Sequence, residues 1–469
     1  MPVFDPNELA RWCGGRWTAP PVQALRRVWQ NSREVHPFDL YVALRGTRFD
    51  GHDFVSQAFS AGASAALVNR EFATRNREPH PLLVVEDPMK ALSQLARGYR
   101  ERLVGRRIGV TGSVGKTTVK DLTAAALSAA GPVAKTLGNW NNEIGLPLSL
   151  LAMECDAVFG VFEVGMNHPG ELAPLCNLLA PERAILTRVG PVHIEFFKSE
   201  QCIAEEKALL LDVLPKEGFA VLAADEPWFD LFRERAPCRV VTVAQSGPAD
   251  YLASADPRGV RIREPDGTVG VYPLNLPGEP GCANTVRGVA MARESGIARE
   301  AIAEALATCT LASMRWQRIQ YAGRIWINDA YNSSPLSMEA ALKMFTESET
   351  ALRKWLVLGG MRELGSQTEA AHLQIGRRIA EGTWAGLVVC GELARGYAQG
   401  ARSAGMPAER IVEADDAAAA AAALVERLSE GDAILLKGSR FEQMEQVLNE
   451  WKNRVEISAS TAGKRKGSR

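Results

Sequence analysis

The segment Arg106–Leu127, RRIGVTGSVGKTTVKDLTAAAL, decides how the rest of this sequence is interpreted. Its apolar stretch Ile108–Thr111 predicts a buried strand, and apolar residues recur at helical spacing after Lys116. Between the two lie small residues and the Gly-Lys-Thr triplet of a phosphate-binding loop. The general pattern has a glycine five positions before that triplet, where this chain has Val110. The segment therefore predicts a variant of the nucleotide-binding loop.

This loop supplies the groups that hold nucleotide phosphates. Its backbone N–H groups are expected to wrap the phosphates, and the start of the following helix adds a partial positive charge. Lys116 is expected to reach the β- and γ-phosphates, and the Thr117 hydroxyl to bind Mg²⁺. The residues predicted to contact the nucleotide here are Gly112, Ser113, Val114, Gly115, Lys116, Thr117 and Thr118.

Composition narrows the class of protein. The 469-residue chain has a net charge of -1, which argues against a nucleic-acid or membrane-surface partner. Its eight cysteines contain no CxxC pair, as is typical of reduced thiols in a cytoplasm. No apolar run approaches the ~18–20 residues that cross a bilayer. We therefore expect a cytoplasmic protein without membrane insertion.

Strand and helix patterns alternate along the chain and restart twice. This alternation predicts α/β domains with parallel, doubly wound sheets. The expected units are residues 1–103, 104–312 and 313–455. The basic tail, residues 456–469, is predicted to be disordered.

Several polar residues outside the loop have more than one interpretation. Glu163 ends the apolar run AVFGVFEVG, so it either binds the Mg²⁺ of the neighbouring loop or faces solvent where a strand stops. His193 follows another apolar strand, and its spacing does not separate a functional role from a structural one. Lys207 lies in a helical pattern typical of a surface lysine. Asp329 and Asn332 lie in NDAYNSSP, which also suits a simple turn.

Six segments occur in an order that resembles the Mur ligases, most closely those of the MurF type, which add D-alanyl-D-alanine. They are TGSVGKTT, GNWNNEIGLPLSLL, FEVGMNHPGEL, NDAYNSSPLSM, GGMRELG and LLKGSR. The front segment NSREVHPFDLYVALRGTRFDGHDFV resembles the UDP-sugar-binding segment that MurE and MurF types share. The similarity runs from about Asn31 to Val447, and the family's loop TGxxGKT explains the unusual glycine spacing.

The resemblance implies a three-domain architecture and a reaction. The first domain would bind the UDP-sugar, the central P-loop domain ATP, and a Rossmann-like C-terminal domain the incoming dipeptide. A carboxylate of UDP-N-acetylmuramoyl-tripeptide would attack the γ-phosphate of ATP, and the amine of D-alanyl-D-alanine would then displace phosphate from the acyl phosphate. The resemblance implies one or two Mg²⁺ ions and a cytoplasmic role in peptidoglycan precursor synthesis; we expect a monomer. The third stem residue stays open between diaminopimelate and lysine.

The resemblance also implies roles for individual residues. Lys116, Glu163, His193 and Lys207 would be catalytic, and Thr117, Glu163, His193 and Lys207 would bind metal, with Lys207 carrying CO₂ as a carbamate. Asn284, Arg315 and Asp329 would contact the nucleotide. Asn139, Asn142 and His168 would lie near the substrate or phosphates, and Asn332, Lys437 and Arg440 near the dipeptide or the closed domain interface. Ser32, Arg33, Arg45, Gly46, Asp50, Gly51 and His52 would hold the UDP group.

The sequence departs from the family pattern at two places. Family members commonly have GxHNxxN on the adenine side, whereas this chain has GEPGCAN over Gly278–Asn284. MurF types often have GDM where this chain has Gly359-Gly360-Met361. Three alternatives are a GTPase switch, an idle UDP-sugar-binding module and a MurE-type ligase. The GTPase switch needs an NKxD motif and the MurE type usually has a DNPR-like segment, and this sequence contains neither; the intact set of Lys116, Thr117, Glu163 and His193 argues against an idle module.

Overall fold

The computed structural model describes residues 2–76, 78–273, 276–348 and 353–466, with side chains described through residue 457. Three sheets follow one another along the chain, each with its own helices. This arrangement confirms the predicted α/β class. The domain boundaries near residues 103 and 312 stay predictions; they fall in segments between sheets.

The first sheet has five strands in the order β1-β5-β4-β3-β2, and β1 is its only antiparallel member among the described residues. Its strands are β1 (Arg16–Trp17), β2 (Arg27–Trp29), β3 (Asp39–Val42), β4 (Ala65–Asn69) and β5 (Leu82–Val85), and its helices are α1 (Pro6–Cys13), α2 (Val55–Ser60), α3 (Arg70–Arg75) and α4 (Pro88–Arg100). All four residues of β3 are buried, which fits a strand covered on both faces.

The central sheet has nine strands in the order β14-β13-β12-β11-β10-β9-β6-β8-β7. The strands are β6 (Arg106–Thr111), β7 (Val133–Lys135), β8 (Phe159–Glu163), β9 (Arg183–Leu186), β10 (Phe219–Ala223), β11 (Arg239–Ala244), β12 (Tyr251–Asp256), β13 (Gly259–Arg263) and β14 (Val269–Tyr272). The helices are α5 (Lys116–Leu127), α6 (Gly145–Leu151), α7 (Leu172–Leu179), α8 (Glu200–Asp212), α9 (Phe229–Arg235), α10 (Gly278–Glu294) and α11 (Arg299–Ala307). Strands β13 and β14 add an antiparallel edge that the sequence patterns did not predict.

The topology of the central sheet places its ligand site. Strand β6 lies between β8 and β9, so the connections leave it in opposite directions. Ligands of open α/β sheets bind at such a switch point, at the carboxyl ends of the strands. The P-loop follows β6, Glu163 ends β8 and His193 follows β9, so all three lie at this edge.

The third sheet has six strands in the order β15-β16-β20-β17-β18-β19, with β15 antiparallel. Its strands are β15 (Gln317–Tyr321), β16 (Arg324–Asp329), β17 (Lys354–Gly359), β18 (Gly386–Cys390), β19 (Ile411–Ala414) and β20 (Ala433–Lys437), and its helices are α12 (Pro335–Ser348), α13 (Thr368–Ala380), α14 (Arg395–Ser403), α15 (Ala417–Arg427) and α16 (Glu445–Lys466). Helix α16 extends to Lys466, into the tail predicted to be disordered; the disorder stays a prediction, and residues 467–469 lie outside the described residues.

Short 3₁₀ helices connect some of these elements, at Gly51–Phe54, Ser128–Ala130, Ile194–Phe196, Gly365–Gln367, Ala408–Arg410 and Arg440–Glu442. All eight cysteines are free thiols. Within the described ranges, no helix is both long and apolar enough to cross a membrane.

Candidate nucleotide-binding active site

The P-loop has the backbone geometry that requires glycine at two positions. Gly112 has φ of 147° and Gly115 has φ of 94°. A Cβ atom on Gly112 would lie 1.9 Å from the Thr187 Oγ1 atom, and one on Gly115 would lie 2.7 Å from the Asn284 Oδ1 atom. Both glycines are therefore needed for backbone conformation and for space. Position 110 lies inside strand β6, where the loop does not need a glycine.

The segment after β9 holds the P-loop in place through hydrogen bonds. The N–H groups of Ser113 and Val114 donate to the Arg188 carbonyl at 2.8 and 3.1 Å, and the Ser113 hydroxyl donates to the Gly190 carbonyl at 2.9 Å. These two N–H groups, predicted to wrap phosphates, instead hold the loop in place. The first-turn N–H groups of α5 have no intrahelical acceptor, so the start of this helix is the part open to an anion.

Lys116 folds back over the loop. Its Nζ atom donates to the carbonyls of Gly112 and Ser113 at 2.9 and 3.3 Å. Burial lowers the pKa of Lys116, and the negative charge of Glu163 opposes this shift. A bound phosphate would favour the protonated form in the same way, since an opposite charge nearby stabilises a cation.

Glu163 is buried, with 2% of its surface exposed, so the interpretation as a solvent-facing strand end is wrong. Its Oε2 atom accepts from the Thr117 hydroxyl at 2.8 Å, and its Oε1 atom accepts from the Asn141 amide at 2.7 Å. The backbone N–H of Glu163 donates to the Thr136 hydroxyl at 2.7 Å. Asn141 was missed by sequence reasoning, although it lies between the two asparagines singled out in GNWNNEIG.

The donor set around Glu163 fits Mg²⁺. Among the described residues no group of three or more His, Cys, Asp or Glu side chains forms a metal cage. Mg²⁺ does not need one, because it commonly takes one or two carboxylates and completes its shell with phosphate oxygens and water. The Thr117 hydroxyl and the Glu163 carboxylate supply two oxygen donors beside the phosphate end of the loop.

His193 and Lys207 are both removed from ordinary surface positions, His193 by a contact with another unit and Lys207 by burial. The Nδ1 atom of His193 forms a hydrogen bond with the Oε2 atom of Glu363, from the third unit, and this bond lowers the pKa of Glu363. Lys207 is 2% exposed, so the surface-lysine interpretation is wrong. Burial lowers the pKa of Lys207 well below its ordinary value, and the positive charge of Lys116 lowers it further.

A cavity of about 530 Å³ collects residues from all three units, with Gln30 from the first. Of the residues predicted for the site, those that line it are Ser113, Val114, Gly115, Lys116, Thr117, Thr118, Asn139, Asn142, Glu163, His193, Asn284, Arg315, Asp329, Asn332 and Lys437. A second cavity, of about 680 Å³, shares Val114, Gly115, Pro280, Asn284 and Ala340 with the first. The two cavities therefore adjoin at the P-loop.

The third unit reaches the P-loop through Arg315. Its guanidinium lies 3.9 Å from the ring centre of Tyr331 and donates to the Thr117 hydroxyl at 3.3 Å. Asp329 accepts from the Lys437 ammonium at 2.6 Å, because β16 and β20 are neighbours and end side by side. Tyr331 was not predicted; its place between Asp329 and Asn332 in the quoted motif was the available signal.

The predicted UDP-binding residues lie in the first unit, away from this cavity. Asn69 donates its N–H to the Nε2 atom of His52 at 3.1 Å, so the Nδ1 atom carries the proton and donates to Asp50 at 2.6 Å. Burial raises the pKa of Asp50, but hydrogen bonds from His52 and Arg45 outweigh it and bring that pKa to about 2. The turn is tight, because a Cβ atom on Gly51 would lie 2.6 Å from the backbone of Leu44.

The remaining predicted residues also lie outside the cavity. Gly46 closes the same turn by donating its N–H to the Phe49 carbonyl at 2.8 Å. Ser32 donates its hydroxyl to Gln57 at 3.1 Å, and Arg33 is exposed. His168 is exposed and pairs with Glu171 at 2.9 Å, while Arg440 is exposed and pairs with Glu445 at 2.6 Å.

Comparisons with known proteins show which family this chain belongs to. Three family models match, described as the Mur ligase family catalytic domain over residues 26–100, the Mur ligase middle domain over 110–292, and the Mur ligase glutamate ligase domain over 314–440. The UDP-N-acetylmuramoyl-tripeptide–D-alanyl-D-alanine ligase of Bacillus subtilis is 35% identical over 90% of this chain and 92% of its own length. The chain belongs to the Mur ligase family. The corresponding Escherichia coli enzyme is 35% identical over 75% of this chain and 78% of its own.

Solved structures show the same fold over nearly the whole length of this Mur ligase. A crystal structure of MurF from Acinetobacter baumannii has a TM-score of 0.85 and 27% identity, and covers 96% of this chain and 99% of that one. MurF from Thermotoga maritima, solved in complex with ADP, has a TM-score of 0.78 and 28% identity over 92% of this chain and 98% of that one. A UDP-N-acetylmuramoyl-L-alanyl-D-glutamate–2,6-diaminopimelate ligase has a TM-score of 0.52 at 19% identity and shares the fold alone.

Proposed function

We propose that this Mur ligase joins D-alanyl-D-alanine to UDP-N-acetylmuramoyl-tripeptide with cleavage of ATP to ADP, through an acyl phosphate. The observation that supports this most is the cavity in which a P-loop, a buried carboxylate and residues of the outer units meet. The reaction needs a nucleotide, a carboxylate and an amine held in line, and that is a task of positioning and charge neutralisation. The D-alanyl-D-alanine ligases of B. subtilis and E. coli, which match over most of this chain, support the choice of substrates.

In this proposal the P-loop and α5 stabilise the negative charge of the transferred phosphoryl group. The first-turn N–H groups of α5 and the Lys116 ammonium would bind the γ-phosphate, and both would stabilise the negative charge that grows during transfer. Thr117 and Glu163 would hold Mg²⁺, which neutralises charge on the phosphoryl group when bound. Asn141 fixes the Glu163 carboxylate through its amide, so that the oxygen next to Thr117 keeps its direction.

Lys207 and His193 would serve a second metal site. The buried amine of Lys207 favours the neutral form, which is the form that adds CO₂ to give a carbamate. Addition of CO₂ with loss of one proton converts this neutral amine into a carbamate anion, and an anion beside the Lys116 ammonium is favourable. His193 lines the cavity, and its Nε2 atom would be the metal ligand, since Nδ1 is bonded to Glu363.

The third unit would hold the ribose side of ATP and the incoming dipeptide. Arg315 reaches Thr117, and Asp329 with Lys437 and Asn332 lines the same cavity. Closure of this unit over the P-loop excludes water, which protects an acyl phosphate from hydrolysis. Arg440 is paired with Glu445 on the surface, so it would reach the dipeptide only after that pair opens. ATP is an intracellular co-substrate, which supports the predicted cytoplasmic location.

The MurE-type alternative predicts a different acceptor and amine. It would extend a UDP-muramoyl-dipeptide with one amino acid. Purified protein, ATP and Mg²⁺ should be offered both substrate pairs, with the UDP product identified by mass spectrometry. UDP-muramoyl-pentapeptide formed only when D-alanyl-D-alanine is present supports the proposal. Extension of the dipeptide by diaminopimelate or lysine would replace it with the MurE type.

A further inference from the structure

The loop that follows β17 reaches across to the central unit. At its base the Met361 N–H donates to the Nε2 atom of the buried His372 at 2.9 Å. Arg362 pairs with Glu442 at 2.9 Å and its guanidinium lies 3.8 Å from the ring centre of Phe441. These contacts hold the two residues just before Glu363 to the third unit, and Glu363 follows them directly.

Glu363 and His193, which contact each other, both have an unusual backbone conformation. Glu363 has φ of 62° and His193 has φ of 61°, the left-handed region that residues with side chains seldom adopt. Such conformations persist only where the surroundings fix them, and they cluster at functional sites. The Glu363 carboxylate bonds the Nδ1 atom of His193, and the Glu363 carbonyl accepts from the Glu195 N–H at 3.3 Å. Two hydrogen bonds thus join the units at this point.

The bond to Nδ1 determines what the other ring nitrogen can do. A carboxylate accepts hydrogen bonds, so the Nδ1 atom of His193 donates and carries the proton. In the neutral imidazole the Nε2 atom then keeps its lone pair, on a ring whose orientation is fixed by the bond to Glu363. This is how carboxylates commonly orient histidines that bind metal ions. Because Glu363 belongs to the third unit, the orientation exists only while the two units are together.

We infer that Glu363 is a positioning residue that orients His193 across the interface between the central and third units. This inference rests on the proposed function, in which His193 faces the reacting groups. Glu363 acts through His193 and does not touch the substrate. The Glu363 side chain is 43% exposed and that of His193 15%, so the pair lies near the surface at the edge of the cavity that His193 lines.

Steady-state kinetics of Glu363→Ala and Glu363→Gln test this role, with exposed Glu369→Ala on α13 as the matched control. Loss of a residue that orients a metal-binding histidine typically costs about 10- to 100-fold in affinity or activity. Glu363→Ala should lower kcat by about that factor and raise the Mg²⁺ concentration needed for half-maximal rate, while KM for the UDP substrate stays unchanged. Glu363→Gln keeps an acceptor oxygen and should recover most of the rate. Unchanged kcat and Mg²⁺ dependence in Glu363→Ala would overturn the inference.

A double-variant comparison separates positioning from general damage. If Glu363 acts only through His193, the variant with both residues changed to alanine should be no slower than His193→Ala alone. Losses that multiply would overturn the inference. Resonance energy transfer between dyes on the central and third units adds a readout without turnover: Glu363→Ala should shift the nucleotide-bound protein toward longer distances. If the wild-type protein makes no pentapeptide, the proposed function is contradicted. The distance measurement would still show whether Glu363 holds the central and third units together.

Discussion

Gly112→Ala is the change whose effect on the P-loop follows most directly from the geometry. The added Cβ atom would lie 1.9 Å from the Thr187 Oγ1 atom, whereas real Cβ contacts are rarely below 3.0 Å, so the loop or Thr187 has to move by about 1 Å. Thr187 is buried and β-branched, so it cannot turn away easily. A misplacement of about 1 Å at a catalytic group costs about 100-fold in rate. This corresponds to about 2.7 kcal/mol of transition-state stabilisation.

The assay is kcat/KM for ATP in the ligation reaction, with Gly267→Ala as the control. Gly267 also has a left-handed backbone, with φ of 83°, but nothing lies within 4 Å of its added Cβ atom. It should lose some stability and keep its activity within about threefold, because strain alone costs about 1–2 kcal/mol. Adding Thr187→Ala to Gly112→Ala should restore part of the rate, since it removes the Oγ1 atom. Near wild-type kcat/KM in Gly112→Ala would refute the reasoning.

Four further predictions concern individual residues of the site. Lys116→Ala should abolish turnover yet leave binding of the UDP substrate intact by calorimetry, because the predicted UDP residues lie in the first unit; lost binding would contradict that assignment. Lys207→Ala should be nearly inactive and partly restored by acetate, whereas full activity without acetate would exclude a carbamate role. Pro280→His should lower KM for ATP by about 3- to 10-fold through one regained hydrogen bond. Gly281→Asn should instead disturb the start of α10, because its Cβ atom would lie 2.3 Å from the Leu276 carbonyl oxygen; equal unfolding temperatures would refute this.

The parts of the site that follow strands could be predicted from the sequence. The loop after β6 and the position of Glu163 follow from local patterns. An apolar run predicts a strand, and the end of that run predicts where the site residues lie. The burial of Lys207 could not be predicted in this way. Helix α8 has a surface-like pattern with acidic neighbours, and only the packing of α8 beside the P-loop removes Lys207 from solvent.

Contacts between distant segments were beyond local patterns. Glu363 lies 170 residues after His193, and nothing in GGMRELG alone indicates its partner. The support of Ser113 and Val114 by the Arg188 carbonyl is likewise a property of neighbouring strands and not of the loop's own sequence. The extension of α16 toward the basic tail was likewise not predicted, because the helix continues from a core-packed stretch that includes Trp451.

Transfer of oxygen from substrate to phosphate tests the acyl-phosphate reaction most directly. The carboxylate of UDP-N-acetylmuramoyl-tripeptide that becomes the amide should be labelled with oxygen-18, and the released phosphate analysed by mass spectrometry. If that carboxylate attacks the γ-phosphate and the amine of D-alanyl-D-alanine then displaces phosphate, each phosphate carries one labelled oxygen. Phosphate free of label, released together with the pentapeptide product, would contradict activation of the carboxylate by ATP in this site.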